Sequence, residues 1–365
     1  MESKVQQTRH EMDRPDSPCW IDGKLRIDVG QCIQKGIHRY KIVSKLDEGS
    51  FGVVYKVLNT QTGLEYALKI TKKEVCHENV HEMMRELQVL KKINRLDSDN
   101  KIPILKLENA FQYKGKLCMV FPLMAENILD FMNEDIFRYF RRDHLQHVGY
   151  QLFQTLHFLH INGIIHTDLK VDNIMFTNSE SERNVQYDEN LEDFITIKTN
   201  KEICLIDVGL ARFDHENSNI EVCNTSYQAP EIIIKCCYDR GSDIWAAGVI
   251  LFEMWSGKRL FNEKSRKARL AIMEHVLGPT PVQYASYDSS HYKDGILKVS
   301  QTFRKMVSSK FSPLGMYEGL DGQPDPQFID LIRWLWTWTS CERPTADMVL
   351  RHPFFDGMED IYGYN

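Results

Sequence analysis

The sequence predicts an α+β fold in two lobes, a small β-rich N-terminal lobe with one main helix and a larger helical C-terminal lobe. Three observations carry that prediction. Strand-like runs separated by turn signals fill residues 40–121. One amphipathic helical pattern, NVHEMMRELQVLKKINR at residues 79–95, interrupts them. Past Met124 the patterns are helical, beginning with the apolar stripe DHLQHVGYQLFQTLHFLHI at residues 143–161.

In chain order, residues 1–19 are polar and carry Pro15 and Pro18, which predicts a loosely attached arm. They contain no apolar h-region, so no signal peptide is expected. Strands are expected at YKIVSKL, VVYKVLN and EYALKI, joined by the turns DEGSFG and TQTGL. After the helix, ILKLENAFQY and KLCMVF supply two more. Residues 177–203 read as a polar surface insert, a β-hairpin ending in DFITIKT. Asp243 opens the apolar helix DIWAAGVILFEMWSG, and later helices are expected at LAIMEHVL and FIDLIRWLWTW. These readings place an extension at residues 1–36, a folded domain at 37–355 that changes lobe near residue 124, and a tail at 356–365.

Composition narrows the function classes. The chain has 365 residues, 42% hydrophobic and 26% charged, enough to bury a core in one large domain or two lobes. A net charge of -6, from 45 basic and 51 acidic residues, argues against general nucleic-acid binding. The nine cysteines, with Cys236 and Cys237 adjacent, lack zinc spacing and read as reduced thiols of a cytosolic or nuclear protein. No run of 18 apolar residues occurs, so neither a membrane span nor secretion is expected.

The chemistry concentrates in HTDLKVDN, His166 to Asn173, and in IDVG, which brings Asp207 after the insert. Asp168 suits the acceptance of a hydroxyl proton, and Lys170 the neutralisation of a phosphate oxygen. Asn173 and Asp207 supply oxygen ligands for a hard cation, Mg²⁺. Upstream, Lys69 sits in the apolar strand YALKI, and Glu86 shares an apolar helix face with Met83, Leu90 and Ile93. A carboxylate on such a face is costly unless paired, and Lys69 is its natural partner, turned toward the α- and β-phosphates of ATP. The turn Leu46, Asp47, Glu48, Gly49, Ser50, Phe51, Gly52, Val53 and Val54 reads as a phosphate-covering hairpin, with Asp47 where the pattern G-x-G-x-x-G-x-V begins with glycine. Leu46, Val54, Ala67 and Phe121 would line an adenine pocket, closed by the hinge Pro122, Leu123 and Met124. Pro122 keeps only its carbonyl acceptor, and Met124 keeps its N–H donor.

Further along, Glu231 of Ala229-Pro230-Glu231 is expected to pair in the interior with Arg343. Asp243 is expected to cap its helix or to hold the backbone of the HTDLKVDN loop. His166 reads as a structural histidine of that loop.

Together these motifs resemble the eukaryotic protein kinases over residues 37–355, and within them the LAMMER-type, CLK-like dual-specificity kinases. Thr167 in HTDLK, FDHE at residues 213–216, LAIMEHVLG at residues 270–278 and the hairpin insert are similar to that group. So is the lead-in DGKLRIDVGQCIQKGIHRYKIVSKL. The resemblance implies a two-lobed kinase fold and transfer of the ATP γ-phosphate, with Mg²⁺, to Ser or Thr of proteins. It also implies tyrosine autophosphorylation, Arg/Ser-rich protein substrates and a monomer. The sequence departs from the group at Asp47, at Val208 in place of phenylalanine, and in CNTSYQ, where Asn224 replaces threonine and Gln228 replaces arginine. These departures frame an alternative, a catalytically weak pseudokinase that acts as a binding scaffold. Asp47 sets a negative charge near anionic phosphates, so Asp47→Gly is expected to tighten ATP binding. Titration calorimetry checks this, and unchanged or weaker affinity would overturn it.

Overall fold

The computed structural model describes residues 19–21, 24–49, 52–74, 80–133, 140–177, 183–188, 193–198, 201–214, 216, 224–236, 238–288, 290–317 and 325–363. The expected arm, apart from Cys19, and Ser50 and Phe51 lie outside them. The chain divides into two compact units, Met1–Ser98 with Leu105–Leu123 and Asp99–Ile104 with Met124–Asn365.

The first unit opens with a small hairpin, β1 (Cys19–Ile21) and β2 (Lys24–Arg26). Its body is a six-stranded antiparallel sheet. The strands are β3 (Cys32–Lys35), β4 (His38–Glu48), β5 (Gly52–Asn59), β6 (Glu65–Glu74), β7 (Asn109–Tyr113) and β8 (Lys116–Pro122), in the order β3-β4-β5-β6-β8-β7. Successive strand residues face opposite ways, so the register sorts the side chains. Ile42, Val57, Leu68, Ile70, Cys118 and Val120 pack with Ile33 and Tyr40 as the core on one face. Val54, Ala67, Lys69, Met119 and Phe121, paired across β5, β6 and β8, share the other. Gly52 has no room for a side chain, because a Cβ there would stand 2.7 Å from the Ile70 carbonyl oxygen. Helix α1 (Val80–Leu96) follows β6 and buries Leu87, Leu90 and Ile93 along the stripe that also holds Glu86.

The second unit is mainly helical. Its helices are α2 (Ile128–Met132), α3 (Arg142–Ile161), α4 (Pro230–Ile233), α5 (Arg240–Ser256), α6 (Arg266–Leu277), α7 (Val282–Tyr287), α8 (Gln301–Lys310), α9 (Pro326–Leu335), α10 (Ala346–Leu350) and α11 (Met358–Tyr362). Helix α5 is mostly apolar and buried from Ser242 to Ser256, as a central core helix must be. Its N-cap is Asp239, whose carboxylate accepts the Gly241 N–H at 2.9 Å. The cap therefore lies one turn before Asp243, the residue expected to share that role. The pattern FIDLIRWLWTW predicts a helix through Trp338, yet α9 ends at Leu335 with Trp336 as its C-cap. Trp336 instead packs its indole among Trp245, Phe252 and Phe261.

Short antiparallel ladders frame the loops between these helices. Strand β9 (Ile164–Ile165) pairs with β14 (Arg212–Phe213), and β10 (Ile174–Phe176) pairs with β13 (Ile203–Leu205). Strands β11 (Arg183–Asp188) and β12 (Asp193–Lys198) form a hairpin of their own within the insert. A last small hairpin joins β15 (Tyr292–Lys293) and β16 (Ile296–Leu297). No helix among the described residues is long and apolar enough to cross a membrane.

Glu231, in α4, meets Arg343 in a buried fork, with Oε1 at 2.6 Å from Nη1 and Oε2 at 2.7 Å from Nη2. The remaining guanidinium N–H groups reach the carbonyls of Gly241, Thr337 and Trp338, and the plane lies over Trp245. All five donors are thus engaged, the condition under which a buried guanidinium is tolerated. Arg343→Ala strands a carboxylate that is 1% exposed, and should lower unfolding free energy by about 3–5 kcal/mol. Urea denaturation checks this; a loss under about 1 kcal/mol, the value of a surface pair, would contradict it.

Candidate active site

In the first unit, Lys69 Nζ stands 2.6 Å from Glu86 Oε1, with both side chains largely withdrawn from water. Lys69 lies opposite Val54 on β5 and Met119 on β8, on the face that Ala67 and Phe121 share. Val53 lies opposite Ile70 and therefore turns its side chain to the core face, leaving only its backbone near the turn. A bulge between Lys45 and Asp47 pushes Leu46 outward, where it is 49% exposed. Asp47 Oδ1 accepts the Glu48 N–H at 2.7 Å. Glu48 spans Lys45 at 2.5 Å and Lys72 at 2.7 Å, so its carboxylate ties β4 to β6 at the base of the turn. The Lys45 and Lys72 contacts lower its pKa to about 2. Gly49 donates its N–H to Gly52 O at 3.0 Å, closing the turn. Half-buried Leu123 ends this unit, and half-buried Met124 begins the next.

In the second unit, the ladders place two loops side by side. The stretch from β9 to β10 carries Asp168, Lys170 and Asn173, and the stretch from β13 to β14 carries Asp207. Pairing β9 with β14 and β10 with β13 strings both loops across one frame. The insert is the connection from β10 to β13. A further backbone bond, Ile206 N to Asn173 O at 2.8 Å, joins the loops beside Asp207.

The loop is anchored from below by Asp243 of α5. Its Oδ2 accepts the His166 N–H at 2.8 Å, its Oδ1 accepts the Thr167 N–H at 3.0 Å, and His160 Nε2 meets Oδ2 at 2.9 Å. Burial alone would raise the Asp243 pKa; His160, His166 and the Thr167 N–H outweigh it and hold the carboxyl below its ordinary value. Thr167 adopts φ 72°, and its hydroxyl donates to Leu210 O at 2.7 Å. A β-branched residue at positive φ is strained, and such strain persists where the surroundings over-determine it. Here the Asp243 and Leu210 contacts do so.

Asp168 is 8% exposed. One carboxylate oxygen accepts the Asn224 N–H at 3.2 Å, and the other lies 3.3 Å from Lys170 Nζ. Both contacts are long, so either oxygen can exchange its partner for an incoming hydroxyl. Asn173 donates Nδ2–H to the Asp168 carbonyl at 2.9 Å. A carbonyl accepts only from the amide nitrogen, which leaves Asn173 Oδ1 as the oxygen this side chain can give a cation. Asp207 is exposed, at φ 60°, with Oδ1 accepting the Gly209 N–H at 3.2 Å. One carboxylate and one amide oxygen fit Mg²⁺, which binds through one or two protein ligands and keeps its other positions for water and phosphate oxygens. Val208 beside it is buried.

Several neighbours escaped the sequence reading. His160 is one, 83 positions from its partner Asp243. Tyr227 is another: its hydroxyl donates to Glu253 at 2.7 Å, which Arg259 also engages at 2.9 Å. Burial first, then Glu253, pushes the Tyr227 phenol above its usual range. No local pattern signals the His160–Asp243 and Tyr227–Glu253 contacts, since each joins segments distant in sequence.

Comparison with known proteins identifies the family. A model described as "Protein kinase domain" matches residues 40–355. The dual specificity protein kinases CLK2 of Mus musculus and Homo sapiens are each 33% identical over 339 residues, 92% of this chain and 66% of theirs. The serine/threonine-protein kinase Doa of Drosophila melanogaster is 31% identical over 92% of this chain and 40% of its own. The chain thus spans just under two thirds of the CLK2 proteins and less of Doa. The crystal structure of the PF14_0431 kinase domain superposes with a TM-score of 0.76 over 87% of this chain and 95% of its own, at 23% identity. The chain belongs to the protein kinase family and has its α+β fold.

Asp243→Asn replaces an acceptor of two N–H groups with a side chain half of which is a donor. It should cost about 3 kcal/mol of stability at neutral pH. A depressed folded pKa gives stability that is present above the ordinary carboxylate range and lost as pH falls through the folded value. The variant should therefore lose less stability than the wild type on acidification. Urea melts from pH 7 to pH 3 check this, and parallel losses in both proteins would contradict it.

Proposed function

We propose that this member of the protein kinase family transfers the γ-phosphate of ATP to Ser and Thr hydroxyls of proteins, and to Tyr in autophosphorylation. The observation that supports this reading best is the framed pair of loops. It carries a carboxylate with exchangeable partners, a lysine beside it, and two oxygen donors suited to Mg²⁺. The substrate hydroxyl oxygen attacks the γ-phosphorus while its proton passes to Asp168, and the bond to the bridging oxygen breaks to release ADP. Lys170 offsets charge on the transferring phosphoryl group. Lys69, held by Glu86, orients the α- and β-phosphates. Asn173 and Asp207 would hold Mg²⁺, which neutralises phosphate charge when bound.

Around them, the turn from Leu46 to Val54 covers the phosphates. Ala67, Phe121, Leu123 and Met124 receive the adenine. Residues 37–355 form the catalytic domain, which contains the hairpin insert at 177–203 and is flanked by the extension at 1–36 and the tail at 356–365. The CLK2 relatives are dual specificity protein kinases, and the resemblance to the LAMMER-type group favours Arg/Ser-rich protein substrates. Cys32, Cys118, Cys204, Cys236 and Cys341 form no disulfide, in keeping with a nuclear or cytoplasmic enzyme.

Purified protein incubated with labelled ATP, Mg²⁺ and an Arg/Ser-rich peptide should transfer label about 10²–10⁴-fold faster than Asp168→Asn, the range of a general base. Lys69→Met should slow transfer about 10²-fold, as expected when a group aimed at developing charge is lost. No transfer above the Asp168→Asn control, to peptide or to itself, would replace this reading with a binding scaffold.

A further inference from the structure

The segment from Asn224 to Gln228 adjoins the proposed base, because the Asn224 N–H donates to Asp168 Oδ1 at 3.2 Å. A hydroxyl delivered to Asp168 therefore arrives beside this segment. Three side-chain contacts seat it on the helices beneath. Ser226 Oγ donates to Asn262 Oδ1 at 2.9 Å, Tyr227 to Glu253 at 2.7 Å, and Arg269 Nη2 to Gln228 Oε1 at 2.9 Å.

The last contact changes what the segment can offer a substrate. Arg269, on α6, is 1% exposed and also donates to the Glu263 carbonyl. A guanidinium has donors only, so it draws the amide oxygen of Gln228 toward itself. Gln228 is largely buried, and among the described residues the NH₂ left to it has no hydrogen-bond partner. Arginine is the more frequent residue at this position in the family the sequence resembles. Here the cation sits one layer deeper, on Arg269, and a neutral donor stands in its place.

We propose that Gln228 is a specificity-determining residue, positioned by Arg269, that donates to a neutral oxygen acceptor on the substrate residue flanking the phosphoacceptor. The inference rests on the phosphoryl-transfer reading above. It names the preferred substrate class as peptides with an amide or hydroxyl side chain at that flank, and it makes Arg269 a positioning residue.

The test is phosphorylation of a peptide library with a fixed Ser and varied flanking residues, using the full chain. Gln228→Glu keeps an oxygen for Arg269 and removes the donor, and Gln228→Met removes both. Each should cut the preference for acceptor-bearing over apolar residues at one flanking position by about threefold or more, the worth of one neutral hydrogen bond. KM for ATP should stay unchanged. Arg269→Lys, still donor-only, should keep the wild-type profile, and Arg269→Met should lose it. An unchanged profile, or an equal fall on every peptide as a purely structural role predicts, would overturn the inference. Wild-type protein that transfers no phosphate would overturn the parent reading as well. Should one variant at position 228 fail to fold, the other carries the result.

Discussion

A single buried carboxylate sets the terms for the second unit. Asp243 accepts two consecutive N–H groups of the loop that carries Asp168, and it meets His160 from α3. A carboxylate out of water is tolerable only when each oxygen is engaged, so the loop must come to it. The demand runs the other way too. A carboxylate can hold a loop to within a fraction of an ångström only if its own helix cannot move. Helix α5 meets that condition by being mostly apolar and buried from Ser242 to Ser256. Its first turn is fixed again by Arg343, which bonds Gly241 O, lies over Trp245 and closes on Glu231. Loop, helix and ion pair form one chain of dependence, and the segment that ends at Glu231 is tied into it.

The first unit rests on a different device, strand parity. One face of the sheet is filled by the cluster around Ile42, Val57 and Leu68. The alternate residues then have to emerge together on the other, and Lys69 emerges with Val54, Ala67 and Phe121. A one-residue slip would send Lys69 into the core and Leu68 out of it. The apolar face thus guards the lysine's position although it touches none of the chemistry. Gly52 belongs to the same device. Its missing side chain answers to the Ile70 carbonyl, so the glycine is required by the sheet before any phosphate is considered.

How much of this the sequence disclosed depended on the range of the interaction. Period-two and helical patterns revealed the strands around Lys69 and the stripe that carries Glu86, because both are local. The loop residues Asp168, Lys170 and Asn173 were legible because they crowd into one short string. The cap of α5 was not, since Asp239 and Asp243 are both carboxylates near one helix start and only the fold shows which faces Gly241. The helix expected through Trp338 ended early because Trp336 packs on aromatic rings from other segments, information no helical period contains. His160 and Arg269 were silent for the same reason. A histidine or arginine on a helix reads as surface until its partner, dozens of residues away, is seen.

Thr167 and Asn224 share one physical consequence. In a loop with arginine at position 167, a long cation stands ready for a phosphate on the segment that follows Asp207, and ordering that segment can wait on modification. Thr167 is too short and carries no charge. Its hydroxyl instead reaches Leu210 O, fastening the Asp168 loop directly to the segment after Asp207. Asn224 completes the arrangement from the far end with its backbone alone, its N–H resting on Asp168 Oδ1 while its side chain turns to accept the Ser226 N–H. Both links use donors already within the chain, a hydroxyl and a backbone N–H. Thr167 and Asn224 thus meet the Asp168 loop through hydrogen bonds that need no phosphate to form.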